Sequence, residues 1–159
     1  MVAMIVLAGV NWEAGMKALI LGAMVLGLQI GVAHAQTSGT NPLASARVFL
    51  YEDMPVRTTA NGGEGRSVFN GTLVTGEAVG AHESMQPVGA TPSALHKIQH
   101  SEVIVVQQGT VEFHHDGKAE RVGSGGIIYV AIGTEHFVKN VGDVPAKYVV
   151  IQIGGDTKK

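Results

Sequence analysis

The segment HKIQHSE, His96 to Glu102, gathers two imidazoles and a carboxylate in a short stretch of chain. Along an extended strand successive side chains alternate between faces, so His96, Ile98, His100 and Glu102 would share one. A fourth candidate, His136, stands far along the chain in VAIGTEHFVKN, where a loop ending AIG lets a strand restart with its imidazole aimed inward. Imidazole and carboxylate together suit Fe, Mn, Zn, Ni or Cu, and two His with one carboxylate and open positions is the arrangement of non-heme Fe(II) sites. On an ordinary strand the same residues would be hydrogen-bonded or surface side chains. Spacing alone leaves both readings open.

Holding such a set in place requires a sheet framework, and the chain after Ser67 supplies one. FNGTLVTGEAV, SEVIVVQQG, TVEFHH, GGIIYVAIG and AKYVVIQIGG are short β-branched runs broken by turn residues. Asp116-Gly117, between TVEFHH and KAERV, predicts a hairpin, because both turn positions accept positive φ. Helical periodicity is lacking after the first 35 residues, so the sequence predicts an all-β sandwich or small barrel. Val103 to Val106 is apolar on both faces, which suits a central strand or a subunit interface. RVFLY, Arg47 to Tyr51, is expected as a strand, and EDMPVR and TANGGEGR as loops.

The length of 159 residues suits one domain. Acidic and basic residues nearly balance, 13 against 11, so neither nucleic acid nor an anionic membrane surface is expected as a partner. From Met16, MKALILGAMVLGLQIGVAHA has a basic start, an apolar run and a small-x-small end. This predicts a signal peptide cleaved after Ala35, with Met16 as the true start and residues 1–35 as leader. Gln29 interrupts the apolar run, against a membrane span. The expected location is periplasmic or secreted, with no membrane contact once the leader is removed. The absence of cysteine means that the exported chain folds without a disulfide. The mature chain divides into an N-terminal arm with loops, 36–66, and a barrel, 67–159.

From about Gly89 to Ile153 the sequence resembles the cupins, small jelly-roll barrels with two motifs. The first motif reads G(X)5HXH(X)3-4E(X)6G. Glu102, the run VIVVQQ and Gly109 match its second half, and His96 falls at its first histidine. In the second, G(X)5PXG(X)2H(X)3N, the matches are Gly125, Gly133, His136 and Asn140. Ile98 stands where the family has its second histidine, Ala131 replaces the proline, and Gly89 lies one residue too far from His96. The resemblance implies a cupin double-stranded β-helix (jelly-roll) barrel with one divalent metal held by His96, Glu102 and His136. His100 would fill the vacant position if the chain bends before it. A three-ligand site and a barrel that has lost its metal are the alternatives.

The resemblance further implies a homodimer and a small-molecule ligand or substrate. It spans dioxygenases, isomerases, epimerases and decarboxylases, so an oxygenase or isomerase type of metal-dependent enzyme is the expected class, without a reaction. A non-catalytic ligand-binding or structural cupin is the alternative. His82, His114 and His115 are expected to be structural, with His82 close enough to the first motif to line the barrel mouth. Gly89, Gly109, Gly125 and Gly133 are expected at tight turns, and Asn140 as a turn cap. Arg47, Arg57 and Arg66 are candidates for an anionic substrate at the mouth. Phe113, Tyr129 and Phe137 are the aromatics nearest the motifs.

Overall fold

The computed structural model describes residues 43–155. The expected leader, its cleavage after Ala35 and the first part of the arm lie outside the described residues. The elements in chain order are β1 (Val56–Thr58), β2 (Glu64–Thr72), β3 (Ala78–Gln86), β4 (His96–Lys97), β5 (Ser101–Gln108), β6 (Thr110–His115), β7 (Lys118–Gly123), β8 (Ile127–Val130), β9 (Glu135–Asn140) and β10 (Ala146–Ile153). They form a six-stranded sheet, β1-β2-β3-β10-β5-β8, and a four-stranded sheet, β4-β9-β6-β7. Every strand pairing is antiparallel. The fold is the expected all-β sandwich. Among the described residues no helix is long and apolar enough to cross a membrane.

Alternation places the core. In β5 and β10 every second residue is buried, so Ile104, Val106, Ala146, Tyr148 and Val150 point between the sheets. Val111, Phe113 and Val138 meet them from the four-stranded sheet. Val103 and Val105 point outward and are half-buried. Opposite them in register stand Tyr129 and Ile127, 67% and 68% exposed. An apolar stripe therefore lies on the outer face of β5 and β8.

The Asp116-Gly117 hairpin joins β6 to β7, with φ of 46° and 72° at the two turn residues. Gly89, Gly109, Gly125 and Gly133 all take positive φ. Asn140 caps its turn: Oδ1 accepts from the Gly142 N–H at 2.9 Å and Nδ2 donates to the Val144 carbonyl at 3.0 Å.

Four expectations change. FNGTLVTGEAV is not one strand: it ends β2, turns at Leu73–Glu77 through Gly76 and opens β3. Parts of the expected loops are strands, with Val56–Thr58 pairing Glu64–Arg66. RVFLY makes no strand. Its aromatic rings hold it to the sheet instead: Phe49 lies 5.5 Å from Phe69, and Tyr51 lies under the Arg66 guanidinium at 4.1 Å. Finally, HKIQHSE does not run as a single strand. β4 stops at Lys97, the chain bends at Gln99–His100, and β5 starts in the other sheet. Long-range packing fixes that bend. The Gly133 N–H bonds the Ile98 carbonyl at 3.0 Å, and Gly155 sits so close that a Cβ there would collide with the Gln99 carbonyl.

Candidate functional site

Between the sheets lies a cavity of about 690 Å³ that is partly open to solvent. β3 contributes His82, Ser84 and Gln86, and β10 contributes Tyr148 and Val150. Glu102 and Ile104 come from β5, His136 and Val138 from β9, and His96 from β4. At the rim, the Asn61 side-chain amide donates to the Thr91 carbonyl at 2.7 Å and ties two loops together.

Glu102 and His136 reach the cavity from opposite sheets, and both are almost fully buried, at 6% and 2% exposure. His136 Nε2 stands 3.5 Å from Glu102 Oε2. On the other side of the ring, Nδ1 lies 3.3 Å from the Thr134 carbonyl. With Nδ1–H donated to that carbonyl, a neutral ring turns its Nε2 lone pair toward the carboxylate. A proton on Nε2 makes this contact a hydrogen bond to the carboxylate, and a divalent cation between a neutral ring and the carboxylate would take the proton's place. Two donors about 2.1 Å from one ion at a tetrahedral angle lie about 3.4 Å apart, so this spacing suits a shared divalent metal.

His96 is brought beside this pair. It is in register with His136, and the ring centroids are 4.6 Å apart. Its Nδ1 lies 3.1 Å from the Ala94 carbonyl, the same arrangement that His136 has with Thr134. Metal-ligating histidines usually spend their second nitrogen this way, which fixes the ring and presents the other nitrogen. His96 is exposed, whereas the pair is buried. Among the described residues no three His, Asp or Glu side chains close around one metal position. The donors that could hold an ion are a pre-set pair with a third imidazole next to it.

His100 lies elsewhere. The bend at Gln99 turns it behind Glu102, where His100 Nε2 is 2.9 Å from Glu102 Oε1. Gln152, opposite Glu102 in register, donates to the same oxygen at 3.3 Å. The side chain is buried, and His100 is not on the cavity wall. Ile98 packs into the apolar core. Burial pushes the Glu102 carboxyl up, but hydrogen bonds from His136, His100 and Gln152 together outweigh it and hold the group down to about 2. Glu102 is therefore ionised at neutral pH, with one oxygen tied to the β5–β10 ladder and the other facing the cavity.

The remaining candidates sort cleanly. His82 lines the cavity. His114 stacks on Phe137 at 4.2 Å and pairs with Glu112, and His115 pairs with Asp116 and Glu120. None of Arg47, Arg57 and Arg66 lines the cavity. Arg66 is committed to Tyr51, the Met54 carbonyl and Glu64. Nor do Phe113, Tyr129 and Phe137 line it. The aromatic that does is Tyr148, which sequence reasoning missed together with Ser84 and Gln86. The signal was present: in AVGAHESMQ the residues His82, Ser84 and Gln86 recur at strand spacing, and Tyr148 and Gln152 do so in AKYVVIQI.

Residues 81–152 match the Cupin_2 family, a cupin domain. Among curated proteins no relative matches the chain. Solved structures do. An RmlC-like cupin from Shewanella frigidimarina superposes with a TM-score of 0.58 at 16% identity, over 72% of this chain and 96% of that one. A predicted oxalate decarboxylase from Thermotoga maritima gives 0.55 at 19% identity, over 68% and 99%. KdgF from a Halomonas species gives 0.58 at 15% identity, over 68% and 94%. At these identities the likeness is one of fold, and no reaction follows from it. With the motif spacing, the paired antiparallel sheets and the family match in agreement, residues 81–152 form a cupin domain.

Proposed function

We propose that this cupin is a metal-dependent enzyme acting on a small molecule in the 690 Å³ cavity, with His96, Glu102 and His136 as the residues that hold a divalent ion. One observation supports it above others: two buried groups, Glu102 Oε2 and His136 Nε2, face each other at 3.5 Å on the wall of an open cavity. A divalent ion bound there would polarise a ligand oxygen or activate water or dioxygen, chemistry that covers oxygenase and isomerase classes alike. The chain's own contribution is positioning. Thr134 and Ala94 orient the two imidazoles, His100 and Gln152 fix the rear oxygen of Glu102, and Ile104, Val138 and Val150 give the site an apolar wall.

A non-catalytic small-ligand-binding barrel is the second reading. It is favoured by the donor set being a pair flanked by a third imidazole, not a closed shell. Screening the metal-loaded protein for dioxygen uptake or isomerised product separates the two. Turnover by the wild type but not by Glu102→Gln supports the enzyme. Metal bound at close to one equivalent without turnover of any tested substrate supports the binding protein.

The same proposal includes export through the leader and a homodimer. The exposed stripe of Ile127 and Tyr129 beside Val103 and Val105 is the face on which two copies would meet.

A further inference from the structure

Many polar groups on the cavity wall bond to one another, and this limits what they leave for a ligand. Gln86 is the centre of one set. Its Oε1 accepts the Asn140 backbone N–H at 2.9 Å, and a backbone donor fixes which end of the amide is oxygen. Nε2 is thereby turned to the Val138 carbonyl at 3.0 Å and to the Tyr148 phenol oxygen at 2.9 Å. Ser84 shares a further hydrogen bond with that phenol. Of the two hydroxyl protons a single one is left over, whichever group donates.

The rim is tied to itself in the same way. The Gly63 N–H donates to Asn61 Oδ1 at 3.3 Å, so Nδ2 is the atom that meets the Thr91 carbonyl at 2.7 Å. The Thr59 hydroxyl donates to the same Oδ1. Glu64 lies 3.5 Å from the Arg66 guanidinium. Apart from the candidate metal donors, His82 and the exposed Thr91 and Ser93 are the remaining polar residues of the wall. Its aliphatic part carries Ile104, Val138 and Val150, which come from both sheets and are almost wholly buried. A ligand hydroxyl that gives up water here without a partner weakens binding. Each methylene laid against the aliphatic side chains strengthens it roughly fourfold.

We infer that the cavity takes a small molecule with one oxygen-bearing head, set at the Glu102–His136 pair, and an apolar body against Ile104, Val138 and Val150, in preference to a polyhydroxylated molecule of the same length. This rests on the reading of the cavity as a ligand site with a metal at that pair.

The test holds the head constant and changes the body. The full chain, loaded with one equivalent of Zn²⁺, is titrated calorimetrically with acetohydroxamate, hexanohydroxamate and gluconohydroxamate, the last two sharing a chain length. Hexanohydroxamate should bind at least about tenfold more tightly than acetohydroxamate, and gluconohydroxamate no more tightly than acetohydroxamate. Val150→Thr, which exchanges a methyl for a hydroxyl at nearly constant volume, should weaken hexanohydroxamate about three- to fivefold and leave acetohydroxamate within about twofold. Gluconohydroxamate binding as tightly as hexanohydroxamate overturns the proposal. So does an affinity that does not rise from acetohydroxamate to hexanohydroxamate, or a folded Val150→Thr variant that keeps full affinity for hexanohydroxamate. If the chain takes up no Zn²⁺, the metal reading fails, and the body preference is read alone by NMR titration with hexanol and glucose. Hexanol binding with shifts at Ile104, Val138 and Val150 upholds it, whereas glucose binding as tightly, or neither binding, overturns it.

Discussion

Glu102 and His136 face each other across the interior from different sheets, Nε2 3.5 Å from Oε2, and each is fixed from behind. His136 is set by the Thr134 carbonyl, and Glu102 by His100 and Gln152. The pair thus has a geometry that neither strand could impose alone. Its consequences are measurable.

The first concerns pH. The Glu102 carboxyl is lowered from an ordinary 4.5 to about 2 in the folded chain, so the folded state prefers it ionised. A lowered folded pKa contributes stability that is complete above the unfolded value and is lost as the pH falls toward the folded one. A lowering of this size corresponds to about 3 kcal/mol at most. In chelator-treated protein, the stability gap between wild type and Glu102→Gln should be widest above about pH 5 and close between pH 4.5 and about 2. Chemical denaturation along a pH series measures it. A gap that does not change with pH removes the hydrogen-bonded carboxylate from the account.

The second prediction separates His100 from the cavity donors. Because His100 bonds the rear oxygen of Glu102, His100→Ala should weaken metal affinity about ten- to a hundredfold without changing stoichiometry. Gln152→Leu should act in the same direction, more weakly. Competition with a chromogenic chelator gives the affinity and the stoichiometry together. Loss of all binding in His100→Ala would make it a ligand, and unchanged affinity would make its bond to Glu102 irrelevant to the site.

The third concerns the bend that makes this arrangement possible. Gly155 has φ of +56° and lies against the Gln99 carbonyl, where a Cβ has no room. Gly155→Ala should cost about 2–3 kcal/mol through strain and displacement of Gln99–His100. It should also lower metal affinity, since His100 follows directly. Gly76→Ala, also at positive φ but with open space around it, should cost about 1 kcal/mol and leave the affinity unchanged. Equal effects of the two substitutions on affinity would show that the bend does not depend on Gly155.

Much of this arrangement was legible in the residues. The alternation in SEVIVVQQ and AKYVVIQI, the Asp116-Gly117 turn and the motif spacing around Glu102 and His136 are local signals, and the strands and both residues lie where those signals put them. The even spacing in HKIQHSE misled. A switch between sheets at Gln99 depends on Gly133 and Gly155, far along the chain, and no local pattern announces it. The inward row His82, Ser84 and Gln86 was hidden for a different reason. Its strand, AVGAHESMQ, is small and polar because it lines a cavity, and so it lacks the β-branched run that marks a packed strand. RVFLY shows the converse: its strand-forming residues are held against the sheet by ring contacts to Phe69 and Arg66 without pairing in it.

The most direct test is metal content by elemental mass spectrometry on protein purified without chelator or metal-affinity resin, comparing wild type, His136→Ala and His115→Ala. His115 sits opposite His136 in register, yet both of its nitrogens are engaged by Asp116 and Glu120. The account predicts close to one equivalent of Fe, Mn, Zn, Ni or Cu in the wild type and in His115→Ala, and little in His136→Ala. A wild type that holds no metal and takes none up on titration, or equal occupancy in the two variants, would contradict it.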